Sequence, residues 1–171
     1  MPIVSNASPL IWLSKVGELS LLEKLFSEVL IPEEVYKEVV EKGLEEGFSD
    51  AFVIKESVDN GWVKVVKLAE DEEKLCEKIV EHAPEIHLGE AQAIILAREN
   101  KTLLLIDESS GRAFAEAMGL KARGTLYIII EALRKGLLEK NNARETVLTL
   151  AGKGFRIEPK LLARLLREIE K

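Results

Sequence analysis

Apolar and polar residues along this chain follow two rhythms that alternate. Ile3-Val4 closes on Ser5-Asn6, Glu28-Val29-Leu30-Ile31 is stopped by Pro32, and Thr102-Leu103-Leu104-Leu105-Ile106 closes on Asp107. The last of these is a continuous apolar run, the pattern of a strand buried on both faces of a parallel sheet. Trp62-Val63-Lys64-Val65-Val66 alternates instead, as an edge strand does, and Lys121-Ala122-Arg123 is a short strand candidate. Between these runs the period lengthens to that of helices. Ser8 and Pro9 suit the cap and first position of a helix carrying Leu10, Leu13 and Val16, closed by Gly17. Further helices are predicted through Leu21–Phe26, from Glu33, over Ser49–Val58, Asp71–Glu81, Gly89–Asn100, Gly111–Met118, Leu126–Arg134, Ala143–Leu150 and Pro159–Glu170.

Strands alternating with helices imply an α/β fold, with a central, mainly parallel sheet flanked by helices in three layers. No repeat, low-complexity tract or linker interrupts the 171 residues, which suit a single domain, 1–171. An apolar fraction of 47% is enough for a sizeable core and argues against disorder. No apolar run is long enough to span a bilayer, the start does not read as a signal peptide, and Cys76 is the sole cysteine. Those features fit a cytoplasmic protein without disulfides, and the apolar neighbours of Cys76 mark it as a core residue. Charged residues make up 32% of the chain, with Glu and Lys abundant and Gln92 the only glutamine, a thermophile-like balance.

The charges are unevenly spread. Residues 1–97 hold nine Lys, no Arg and twenty acids, whereas residues 98–171 hold eight Arg, seven Lys and ten acids. That asymmetry allows an acidic pocket for a cation beside a basic approach for phosphates.

Ligands of open α/β sheets bind outside the carboxyl ends of the strands. Asn6 and Asp107 sit at two such ends, and Glu108 follows Asp107 directly. Asp107 is a candidate ligand and equally a candidate helix cap. In the acid-rich helix from Glu33, Glu38 lies about 60° from Val35 at 100° per residue, nearest the apolar stripe. Glu90 shares a face with Ala93, Ile94 and Ala97, so an acid opens an otherwise apolar stripe; interaction with the helix dipole is its plainer role. Asn6, Glu38, Glu90 and Asp107, all oxygen donors, suit Mg²⁺ or Mn²⁺. His82 and His87 are five apart and Cys76 has no partner thiol, which argues against zinc. No P-loop, GxGxxG, GxSxG or EF-hand loop is present. Asp107 is not followed by the Asp-x-Asp arrangement of phosphomonoester hydrolases that use an aspartyl nucleophile.

Five blocks, in order, carry a family resemblance: Val4-Ser5-Asn6-Ala7-Ser8-Pro9-Leu10, Val29 to Glu38, Leu88-Gly89-Glu90-Ala91-Gln92-Ala93-Ile94, Leu104-Leu105-Ile106-Asp107-Glu108 and Arg123-Gly124-Thr125-Leu126. Together they resemble a PIN-domain branch related to the toxin half of VapBC-type toxin–antitoxin pairs, over roughly residues 2–140, with 141–171 as a helical extension. The resemblance implies an endoribonuclease dependent on Mg²⁺ or Mn²⁺, with Asn6, Glu38, Glu90 and Asp107 at the four acid positions. Ser8, Glu108 and Arg112 would support a ligand or contact phosphate. It further implies an RNA substrate, a homodimer and a small antitoxin partner. Position 6 departs from the family, since most active PIN nucleases carry Asp there. An amide oxygen coordinates without a formal charge, so a weakened site serving as a binding or regulatory module is the alternative. The stripe of Leu161, Leu162, Leu165, Leu166 and Ile169 is expected to cover the domain itself, or else a partner.

Overall fold

The structure, a computed structural model, describes all residues from Met1 to Lys171. Five strands, β1 Ile3–Ser5, β2 Val29–Pro32, β3 Val63–Val66, β4 Leu104–Leu105 and β5 Ala122–Arg123, form one sheet in the order β3-β2-β1-β4-β5. Every pairing is parallel, with Val4 opposite Leu30 on one side and Leu104 on the other. The chain winds outward from β1 through β2 to β3, then returns to β4 and β5. The switch point therefore falls between β1 and β4, where a ligand crevice opens beyond the carboxyl ends. Val63–Val66 takes an edge, as its alternation predicts, with Lys64 and Val65 exposed and Lys64 paired to Glu28 at 2.7 Å.

Because strand side chains alternate, each central strand feeds both layers. Ile3, Val29, Ile31 and Leu105 enter one core with Leu10, Leu13, Ile128, Ile129 and Val147. Val4, Leu30, Leu104 and Ile106 enter the other with Ile79, Ile94, Ile95 and Ala115. The first layer comes from α1 Ala7–Lys15, α2 Ser20–Phe26, α5 Ser49–Asp59, α9 Thr125–Arg134 and α10 Lys140–Gly152. The second comes from α6 Glu70–His82, α7 Leu88–Asn100 and α8 Ser109–Ala117. Cys76 is buried among the latter, and burial first, then Glu72 and Glu73, push its thiol up to about 11. The thiol is therefore protonated and unreactive in the folded chain at neutral pH.

The helix that starts at Glu33 is not uniform. Glu33–Tyr36, α3, winds as an α-helix, Lys37–Lys42 as a π-helix and Gly43–Glu45, α4, as an α-helix again. Such wider turns often mark functional sites, and this one carries Glu38.

The last helix, α11 Pro159–Glu170, packs on the chain's own core. Ile169 is fully buried there, Leu162 and Leu166 are half-buried against the first core, and Arg144 of α10 pairs with Glu170. Leu161, at 38% exposure, stays on the outside of the stripe. Ile169→Ala is expected to cost about 3 kcal/mol, lowering the melting temperature by roughly 6–12 °C. A thermal melt showing no change would mean that the tail is not held to the core. No helix is long and apolar enough to cross a membrane.

Candidate active site

The carboxyl ends of β1 and β4, with the starts of α1, α7 and α8, surround a cleft of about 220 Å³. Asn6, Ser8, Glu38, Glu90 and Glu108 line it, with Trp12, Lys15 and His87 at its rim. Asn6 continues β1 by donating its backbone N–H to Leu105 O at 2.9 Å, which fixes its side chain at the switch point. It is buried, and its Nδ2 donates to Glu108 Oε2 at 3.2 Å.

Glu90 is the most constrained acid. It is only 4% exposed on the first turn of α7, and its Oε2 accepts the His87 backbone N–H at 2.8 Å. That is the reciprocal half of a capping box. Its other oxygen, Oε1, is buried with no partner at all. A carboxylate oxygen without a donor inside a protein is costly unless something cationic meets it. Burial first raises the Glu90 carboxyl above the ordinary range, the His87 N–H partly offsets this, and repulsion from Glu108 and Glu38 adds to it. Glu38 stands at the open side of the cleft, on the π-helical turn. Its carboxyl is also raised, chiefly by loss of water on its inner side and then by repulsion from Glu108. A hydrogen bond from the Glu34 backbone N–H to Gln92 Oε1 at 3.2 Å ties this helix to α7, so Glu38 and Glu90 share the cleft.

Asp107 has a different place. Its Oδ2 accepts from Ser8 Oγ and from Thr125 Oγ1, each at 2.8 Å, and its Oδ1 accepts from the Thr125 backbone N–H at 2.7 Å. Both oxygens are thereby engaged, joining the end of β4 to the first turns of α1 and α9. Arg112 reaches back to the Asp107 backbone carbonyl at 2.7 Å rather than into the cleft. Gly124 is required by this arrangement, because a Cβ there would stand 2.7 Å from Asp107 Oδ1. Ser8 borders the cleft but spends its hydroxyl on Asp107, while Glu108 faces the cleft.

Of the residues expected at the site, the fold thus gathers Asn6, Glu38, Glu90, Glu108 and Ser8 around one cleft, and sets Asp107 and Arg112 beside it. Trp12 and Lys15 were not singled out by the sequence, His87 was weighed there only as a zinc ligand, and Thr125 entered only as part of a family block. His87 and Trp12 lie off the apolar stripes, and Thr125 meets Asp107 only through folding. No three His, Cys, Asp or Glu side chains stand close enough to hold a metal ion without moving.

A parallel sheet in this order, with an acid-lined cleft outside its switch point, defines an α/β protein of the PIN type. The family model "DUF3368: PIN domain" matches residues 2–171, and the chain belongs to that PIN-domain family. No curated protein matches the chain. PIN domains point to nuclease activity that uses divalent metal ions. The residues present fit such an ion: the donors are hard oxygens, and the unpartnered Glu90 Oε1 is an acceptor without a donor.

Proposed function

We propose that this chain is a divalent-cation-dependent endoribonuclease, using Mg²⁺ or Mn²⁺, and the toxin component of a toxin–antitoxin pair. The observation that supports the nuclease reading most is the buried, unpartnered Glu90 Oε1 beside Glu38 and Glu108. The toxin role rests on the family resemblance alone.

Glu38, Glu90 and Glu108, with the Asn6 amide oxygen, would hold the cation. A bound cation supplies an activated water and offsets charge on the phosphate oxygens. The rest falls to the chain. Glu90 is locked in rotamer by the His87 N–H, and Asn6 Nδ2 steers Glu108 into the cleft. Glu38 closes the solvent side. Asp107 holds three elements in register around them, and Lys15 at the rim offers the positive charge that a phosphate needs to approach an acidic cleft.

Calorimetric titration with Mn²⁺ tests this. The wild type is expected to bind, Glu38→Gln at least about tenfold more weakly, and Asn6→Asp more tightly because it adds a carboxylate. RNA cleavage should follow the same order. If the metal-replete wild type cuts no RNA at any concentration, the nuclease reading fails. A second reading, a PIN fold turned into a binding or regulatory module, is favoured by one observation: Asn6 donates to Glu108 where an acid would repel it. It expects Mn²⁺ binding by Asn6→Asp but none by the wild type. A homodimer and a small antitoxin partner belong to the toxin reading, and light scattering with and without a co-expressed neighbouring gene product tests both.

A further inference from the structure

The cleft is lined by an aromatic and a basic side chain as well as by acids. Trp12 lies on α1, one turn beyond Ser8, and lines the cleft together with Glu38, Glu90 and Glu108. Phe155, from the loop before α11, sets its ring at 88° to the indole with centroids 5.3 Å apart, so the chain's last segment buttresses Trp12. The Lys15 ammonium lies over the indole, 5.0 Å from the ring centroid. Lys15 is an exposed, flexible side chain, and such a surface cation over indole is held weakly. Displacing that ammonium would leave room on the ring for a flat group entering from the cleft, which Trp12 and Lys15 both line.

Lys15 also borders a second depression, of about 400 Å³, with Ser14, Ser49, Asp50 and Lys153. The two hollows adjoin at Lys15. In the second, two lysines outnumber the single aspartate, and Ser14 Oγ is buried without a partner. An acid cleft, an aromatic face and a cationic, hydroxyl-lined hollow thus follow one another along α1. That sequence of chemistries matches a polynucleotide strand: a phosphate at the acids, a base on the ring, then further phosphates.

Resting on the nuclease reading above, we propose that Trp12 is the stacking platform for a nucleobase beside the scissile phosphate. Lys15 and Lys153 take the phosphates that follow, so the site accepts single-stranded RNA. A base stacked in a duplex has no free face to offer, whereas any unpaired base does. On base entry Lys15 leaves the indole and turns to the backbone.

The chain has two tryptophans, so Trp62→Phe leaves Trp12 as the sole indole reporter, and Glu90→Gln in the same protein prevents cleavage. Titration of this double variant with a twelve-nucleotide oligo(A) RNA in Mg²⁺ should quench the Trp12 fluorescence. Read by the anisotropy of a dye-labelled oligo(A), which needs no tryptophan, adding Trp12→Ala should weaken binding by roughly 5- to 150-fold, whereas Trp12→Phe should stay within about threefold of the parent. Trp12→Phe also guards against a folding defect caused by losing the Phe155 contact. Lys153→Ala should lower the slope of log K against log salt by about 0.7, a readout that a merely structural lysine would not move. Oligo(A) bound with unquenched Trp12 and unaltered affinity in Trp12→Ala would overturn the platform while leaving the nuclease reading intact. So would equal binding of a fully paired RNA duplex. Absence of RNA binding by every variant would overturn the platform, while the nuclease reading stands or falls on cleavage by the metal-replete wild type.

Discussion

Glu90→Gln is expected to abolish RNA cleavage, lowering it by at least about a hundredfold, and to raise the melting temperature of the metal-free protein at neutral pH. The two effects have one cause. Glu90 is almost fully buried, one oxygen held by the His87 N–H and the other lying against Gly111 without a hydrogen-bond donor. Burial is the main reason its carboxyl is raised, with Glu108 and Glu38 adding repulsion. A carboxyl whose folded value lies above its unfolded one stabilises the fold below the unfolded value, near 4.5. That contribution is lost as pH rises through the folded value. At pH 7 the ionised Glu90 therefore works against folding, and glutamine removes the charge while keeping an oxygen for the His87 N–H. The gain should be at most about 1 kcal/mol, because the glutamine NH2 inherits the unpartnered place of Oε1, or up to some 2–4 °C for a chain of this size. By the same sign, wild-type protein in EDTA should melt higher as pH falls from 7 toward 5, and Glu90→Gln should gain less over that interval. Added Mn²⁺ should reverse the order, since only a protein that binds the ion is stabilised by it. Thermal melts in EDTA and in Mn²⁺ read both. A variant that melts below the wild type in EDTA would mean that the unpartnered oxygen is not a liability, and the metal argument would lose its main support.

Much of the frame could be read from the chain. The runs Val29–Ile31 and Leu103–Ile106 are apolar throughout because each strand feeds two cores in alternation, which is what the structure shows. The helix periods were equally legible, and Glu90 stood out because an acid interrupts an apolar face. Other features depend on contacts that no local pattern encodes. Asp107 read as ligand or cap in equal measure. Its oxygens meet Thr125, eighteen positions away, and Ser8, ninety-nine away. Glu108 follows in extended backbone, φ −65° and ψ 128°, where consecutive side chains point to opposite sides. Adjacent acids are thereby sent to different surroundings, one to a cradle and one to the cleft. At 100° per residue Glu38 lies nearest the apolar stripe, whereas Lys37–Lys42 winds more widely than that. Glu38 still reaches the cleft because Gln92 holds the helix start against α7. Trp12 lies off the stripe of Leu10 and Leu13, and only the fold shows that its outward face is a wall of the cleft.

Asp107→Ala is the second large effect, and it is expected in stability. The side chain accepts three hydrogen bonds at 2.7–2.8 Å, from Ser8 Oγ, the Thr125 N–H and Thr125 Oγ1. Bonds to an ionised acceptor are stronger than neutral ones. Thr125 is fully buried, so truncation strands two of its donors away from water. A loss of roughly 3 kcal/mol or more is expected, some 6–12 °C in melting temperature. Asp107→Asn keeps one acceptor and should lose about half as much. Gly124→Ala attacks the same cradle from outside, pushing a methyl to 2.7 Å from Asp107 Oδ1, and should destabilise in parallel. Because Asp107 and Glu90 serve different ends, their variants should separate. Asp107→Ala lowers the melt while its folded fraction still binds Mn²⁺, whereas Glu90→Gln raises the melt and binds none. If Asp107→Ala instead melts like the wild type and loses Mn²⁺, then Asp107 leaves its cradle to reach the ion. The cleft would then close through movement of the β4–α8 junction, and the carboxylate set would be Glu38, Glu90 and Asp107, with Glu108 as its neighbour.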